Sequence, residues 1–80
     1  MPYVNQEARE RLQSGVPKTP GELNYVLTMA CGDYLRYTPQ KYVDYNALIG
    51  ALECCKLEMY RRQIAKYEDL KIIENGDVYA

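Results

Sequence analysis

From Tyr45 to Glu74 the chain has no proline, and Gly50 is its only glycine there. Proline and glycine are the residues that most strongly interrupt a helix, so nothing in this stretch forces a stop. A helix over residues 45–74 extends about 45 Å at 1.5 Å per residue. A compact globule of 80 residues is only about 30 Å across. A helix longer than the body that should cover it needs a partner, most simply another copy of the same chain.

Composition narrows the rest. Eighty residues make one domain, in the size range where a core is thin without a staple or an association. The net charge of −1 and the isoelectric point near 5.3 provide no global field toward nucleic acid or an anionic membrane. No apolar run approaches the about 18 residues of a membrane span. Met1-Pro2-Tyr3-Val4-Asn5-Gln6-Glu7 lacks the basic and apolar parts of a signal peptide, so the expected location is the cytoplasm.

Cysteine and histidine usage speaks against metal, cofactor and redox roles. Cys31, Cys54 and Cys55 are an odd set, and the chain has no histidine. Adjacent helical residues point about 100° apart, so Cys54 and Cys55 do not readily face one metal. Cys55 reads as a small core hydrophobe. Nine tyrosines stand without any phenylalanine or tryptophan. A buried tyrosine must find a partner for its hydroxyl, which suits the edge of a thin core or a half-wet binding surface.

Three helices follow from caps and periodicity. Asn5 caps a short helix over residues 6–14, with Ala8 and Leu12 as its apolar face and Gly15 as its stop. Thr19-Pro20-Gly21-Glu22 opens the second helix, over 20–36. Threonine caps it, proline takes the first position, and Glu22 closes a capping box. Leu23, Val26, Leu27, Ala30, Tyr34 and Tyr37 fall on one stripe. Asp44 caps the third helix, over 45–74, whose inward stripe is Leu48, Ala51, Leu52, Cys55 and Met59, resumed by Leu70 and Ile73. Asn75-Gly76 ends it and 75–80 is a tail. The predicted class is all-α: a short N-terminal helix plus an antiparallel pair, the last one long, assembling as a homo-oligomer.

Catalysis has little to draw on. Ser14 is the only serine and there is no histidine to activate it. No glycine-rich phosphate loop and no Glu-x-x-His pair is present, so the expectation is a protein that is not an enzyme. The candidate surface is a second face of the long helix. Wound at 100° per residue, Glu53, Lys56, Tyr60, Gln63, Tyr67, Lys71 and Glu74 share a band about 80° wide. The band is symmetric about its centre: tyrosines, then lysines, then glutamates. An antiparallel two-fold pair sets Tyr60 against Tyr67 of the partner, at the cost of like charges meeting unless the helices shift or an anion intervenes. Beside it lie Arg61, Arg62 and Lys66, which can bind phosphate or carboxylate, or simply pair along the helix with Glu58 and Asp69. Without a basic patch elsewhere, sequence-specific DNA reading is not expected.

Gly21-Glu22-Leu23-Asn24-Tyr25-Val26, the run from Gly50 to Arg62, Tyr67-Glu68-Asp69 and the closing Glu74-Asn75-Gly76-Asp77-Val78-Tyr79 resemble a family of small bacterial and phage proteins of unassigned activity. The resemblance covers about two thirds of the chain. It implies proline at the position of Lys66, hence a kink near Ala65. It also implies a phage setting in a bacterial cytoplasm, where small proteins blunt host defence, some by holding nucleotide signals in oligomer clefts.

The expected function is therefore non-enzymatic sequestration of a small anionic ligand, a nucleotide immune signal, in a cleft between copies. Tyr60 and Tyr67 stack, Arg61, Arg62, Lys66 and Lys56 supply positive charge, and Glu53 and Asn24 orient polar groups. The alternatives are an inhibitor or adaptor that lays its tyrosine-rich face on a host defence protein, and a small structural or regulatory dimer. If the inward stripe of the long helix is buried, Leu52→Ala costs about 2–5 kcal/mol; a small change in melting temperature shows the stripe to be open.

Overall fold

The computed structural model describes residues 4–79 and is all-helical, with no strand among the described residues. Helices α1 (Gln6–Arg11), α2 (Pro20–Arg36) and α3 (Tyr42–Met59) are followed, without a loop, by a π-helical turn (Tyr60–Ile64) and α4 (Ala65–Asn75). The chain divides into two compact units, Met1–Tyr45 and Asn46–Ala80.

In the first unit Asn5 Oδ1 accepts the Ala8 N–H at 2.9 Å and starts α1. The helix stops at Arg11, short of the expected 14. The reason is a tightening of the last turn: Gln13 N–H reaches Glu10 O at 3.3 Å and Ser14 N–H reaches Arg11 O at 3.4 Å, the three-residue spacing of a 3₁₀ turn. A Cβ on Gly15 would stand 2.8 Å from Arg11 O, so the exit from that turn needs a glycine. Among the described residues Val4 and Leu12 are the buried apolar ones. Leu12 was legible as part of the α1 face. Val4, just ahead of the cap, occupies the staple position that fixes how a chain enters a helix. Its carbonyl accepts Arg9 Nε at 3.0 Å, and the Arg9 guanidinium lies 5.9 Å from the Tyr25 ring centroid.

Thr19 starts α2 as a cap should, its hydroxyl accepting Glu22 N–H at 3.1 Å. The capping box closes differently from the expectation. Glu22 reaches past Thr19 to accept the Lys18 N–H at 2.9 Å, and also pairs with Arg11. One carboxylate thus ties the end of α1 to the start of α2. Hydrogen bonding from Lys18 holds its pKa below the usual glutamate value; partial burial works against this, and Arg11 adds to it. A depressed carboxyl pKa favours the fold above the unfolded glutamate value, and that contribution is lost as pH falls through the folded one. The expected stripe of α2 is mostly open within the chain: Leu23, Leu27, Tyr34 and Tyr37 are exposed, while Val26 of that stripe and Tyr25 beside it are half-buried.

Between α2 and α3, Thr38 Oγ1 donates to Leu35 O and accepts the Gln40 N–H, and Gln40 takes a left-handed φ of 58°. The long helix begins at Tyr42 rather than Tyr45. Asp44 caps it from inside, reaching back to the Lys41 N–H at 3.0 Å. At the far end Gly76 turns out at φ 85° while its N–H bonds Ile72 O, as the Asn75-Gly76 pair implies.

The second unit has no buried residue among those described. The stripe read as inward is open: Leu52 is 36% exposed and Met59 50%. Within one chain Leu52 is therefore not the fully buried leucine on which the 2–5 kcal/mol figure rests. Apolar residues also lie all round α3, with Ile49 and Leu57 exposed as well. A helix apolar on every side is normally one that is covered on every side.

Gly50 sits mid-helix with nothing within 4 Å of where its Cβ would be. Gly50→Ala should therefore stabilise the isolated chain by about 0.5–1 kcal/mol, the helical cost of glycine. Loss of stability on thermal unfolding would instead reveal something packed closely against that face.

Candidate functional site

The candidate residues on the long helix are arranged around the π-helical turn. There the Ala65 N–H bonds Tyr60 O, five residues back, instead of the usual four. A single π turn takes up one extra residue, so everything after it is rotated by about one residue, roughly 100°, relative to an unbroken α-helix. The hydrogen bond from Tyr60 Oη to Glu68 Oε2 at 2.7 Å reports that rotation. In a straight helix residues eight apart stand about 80° from each other, but with one residue absorbed they align.

This overturns the single symmetric band. Glu53, Lys56 and Tyr60 stay on one face, while Tyr67, Lys71 and Glu74 are rotated onto the line of Leu48, Leu52, Cys55 and Met59. Ion pairs follow the two halves separately. Lys56 pairs with Glu53 at 3.0 Å and Lys71 with Glu74 at 3.0 Å. The Lys71 ammonium is also 5.5 Å from the Tyr67 ring centroid. The departure from regular helix lies at Tyr60–Ile64, immediately ahead of the position near Ala65 where a kink was expected. Glu68 was missed because no spacing rule for a straight helix puts it under Tyr60.

Arg61 and Arg62 converge on one carboxylate, Glu58, at 3.4 and 3.2 Å. All three side chains are at least half exposed, and such pairs along a helix contribute little to stability. Lys66 forms no ion pair among the described residues and, by helical position, falls on the same side. Arg61 and Arg62 thus share the Glu58 carboxylate, with Lys66 beside them and Asp69 one turn further on. Tyr67 lies at the edge of this patch, and Tyr60 is on the far side, tethered to Glu68. Asn24 belongs to the first unit, where its Oδ1 accepts the Thr28 hydroxyl at 3.2 Å.

The first unit has a concavity of about 380 Å³, lined by Leu12, Val26, Met29 and Ala30 with Arg9 and Asp33 among its polar groups. Sequence spacing gave no sign of it, since it depends on how the end of α1 lies on α2. Among the described residues no helix is long and apolar enough to cross a membrane.

The fold and site define a small all-helical domain whose long helix offers an uncovered apolar surface and a cationic patch. The chain belongs to a family defined as a domain of unknown function, DUF6899, which matches residues 1–78. No curated protein and no solved structure matches it significantly.

The Glu68 carboxylate, through its hydrogen bond and its charge, raises the Tyr60 pKa above the usual phenol value, because both disfavour a phenolate. The neutral form is the one the fold prefers. Its stabilising effect is complete below the unfolded tyrosine pKa of about 10 and lost as pH rises through the raised folded value. Phenolate absorbance during alkaline titration should show one late tyrosine, absent in Tyr60→Phe and shifted down in Glu68→Gln. A Tyr60→Phe variant that still shows a late tyrosine, or a Glu68→Gln variant with no downward shift, refutes the bond.

Proposed function

We propose that this protein is a non-enzymatic binding protein that associates with itself and holds a small anionic ligand in a cleft between copies. The observation that carries this reading is the cluster of Arg61 and Arg62 sharing Glu58, with Lys66 on the same side in no ion pair among the described residues, on a helix with no buried residue. Guanidinium forks match the geometry of phosphate and carboxylate. Tyr67 at the edge of the patch offers a ring on which a base can stack. Glu53, Lys56 and Tyr60 occupy the flank beyond and orient polar groups there. Association supports the charge argument, because two copies of a patch with surplus positive charge across one cleft attract an anion that neither copy holds strongly alone. The bacterial and phage resemblance suggests a nucleotide signal of host defence as the ligand, sequestered in the host cytoplasm.

A second reading, docking on a host defence protein, is favoured by the exposure of Tyr60 and Tyr67, at 45% and 60%. Exposed tyrosines are common anchors in protein interfaces.

Calorimetry with a panel of cyclic di- and trinucleotides and cyclic ADP-ribose isomers tests the first reading. Wild type should bind at least one member, and Arg62→Ala and Lys66→Ala should each weaken that binding about tenfold, a loss of roughly 1.4 kcal/mol. Silence across the panel defeats it. Capture of a host protein by wild type and not by Tyr60→Ala would then support docking instead.

A further inference from the structure

The π turn does more than break a symmetric face, since it creates a continuous line along the second unit. Leu48, Leu52, Cys55 and Met59 are spaced at the threes and fours of an α-helix, and so are Ile64, Tyr67, Lys71 and Glu74. The step between the two sets, from Met59 to Ile64, has the five-residue span that a π turn closes. Met59, Ile64 and Tyr67 are all about half exposed in the single chain.

We infer that this line is the seam of an antiparallel two-fold dimer of the chain, with its axis crossing at the π turn. The inference rests on the self-association proposed above and specifies its register. Met59 then lies against Ile64 of the second copy, Cys55 against its Tyr67, and Leu52 against the aliphatic stem of its Lys71. A two-fold axis repeats each contact, as an isologous interface requires.

Charge complementarity selects the second copy as the occupant. In an unbroken helix, the antiparallel crossing that the symmetric band implies, centred two residues further on between Gln63 and Ile64, brings Glu53 against Glu74 and Lys56 against Lys71, like against like. With the extra residue absorbed, Glu68 moves onto the flank that also carries Lys56, and the two face each other across the copies. On the other flank Glu58 faces Lys66 of the second copy. Both flanks become opposite in charge, the arrangement that fixes orientation in paired helices. Near the axis the two Arg62 side chains approach each other, and their mutual repulsion is relieved by an anion bound between them. The seam and the ligand patch are therefore adjacent parts of one assembly.

A charge-swap cycle read by sedimentation equilibrium tests the register. Lys56→Glu and Glu68→Lys should each weaken the dimer about tenfold, since the axis repeats the damaged contact. The double variant Lys56→Glu with Glu68→Lys should regain most of the loss. Lys56 and Glu68 are about 18 Å apart along one helix at 1.5 Å per residue. The double variant still lacks the Lys56–Glu53 pair and the Tyr60–Glu68 hydrogen bond of the single chain, so recovery can come only from a contact between copies. All these side chains are exposed, and helicity by circular dichroism should be unchanged throughout. A dimer that ignores the single changes, or that the double change fails to rescue, overturns this register while leaving self-association intact. A wild type that stays monomeric at every concentration overturns both, and the nucleotide panel then decides whether a ligand reading survives alone.

Discussion

The physical constraint behind the whole molecule is the cost of leaving apolar surface in water. A fully buried leucine or isoleucine gains about 1.5–3 kcal/mol over an exposed one. Among the described residues Val4 and Leu12 are the buried apolar ones, while Leu23, Leu27, Ile49, Leu57, Ile64, Leu70 and Ile73 are exposed. A helix of this length forms cooperatively once nucleated, but most helical stability in proteins comes from packing one face against something else. The second unit lacks such a face within its own chain. Its helix, π turn included, is explained by propensity and caps, and its apolar residues remain exposed in the single chain.

The first unit solves a smaller version of the same problem with polar ties. Glu22 accepts the Lys18 amide and engages Arg11, and Arg9 spans Val4 and Tyr25. These contacts hold a six-residue helix that has too little apolar area to dock alone. Such ties fix geometry more than they add stability, since exposed ion pairs are weak. They do decide which side of α2 is covered, and so which stripe stays available.

Helix ends were legible in the sequence because their chemistry is local. Asn5, the Thr19-Pro20 pair and Asn75-Gly76 each specify a boundary within a few residues, and the structure has helices beginning or ending there. The start at Tyr42 was harder to read. Asp44 is a good capping residue whether it precedes a helix or sits in its first turn, and only the bond to Lys41 separates the two. The candidate site was half legible. Residue types and the Glu58 pairing follow from spacing, but the face on which each residue lies does not. A single π turn inside a helix leaves no composition signal, so angles computed at 100° per residue fail beyond Tyr60. One absorbed residue turned a symmetric band into two unrelated ones and brought Glu68 beneath a tyrosine.

The three cysteines are free, with Cys54 and Cys55 exposed and Cys31 half-buried. Neighbouring thiols on a helix point in directions about 100° apart, so two chemically equivalent probes already sample different sides of the same rod. In oxidising buffer, exposed thiols on separate chains can couple, and a covalent pair formed this way would pass for a native assembly in any mass measurement. Under reducing conditions the same chemistry becomes useful. The relative alkylation rates of Cys54 and Cys55 in the unmodified protein give a footprint of which side is shielded, without a label or a substitution.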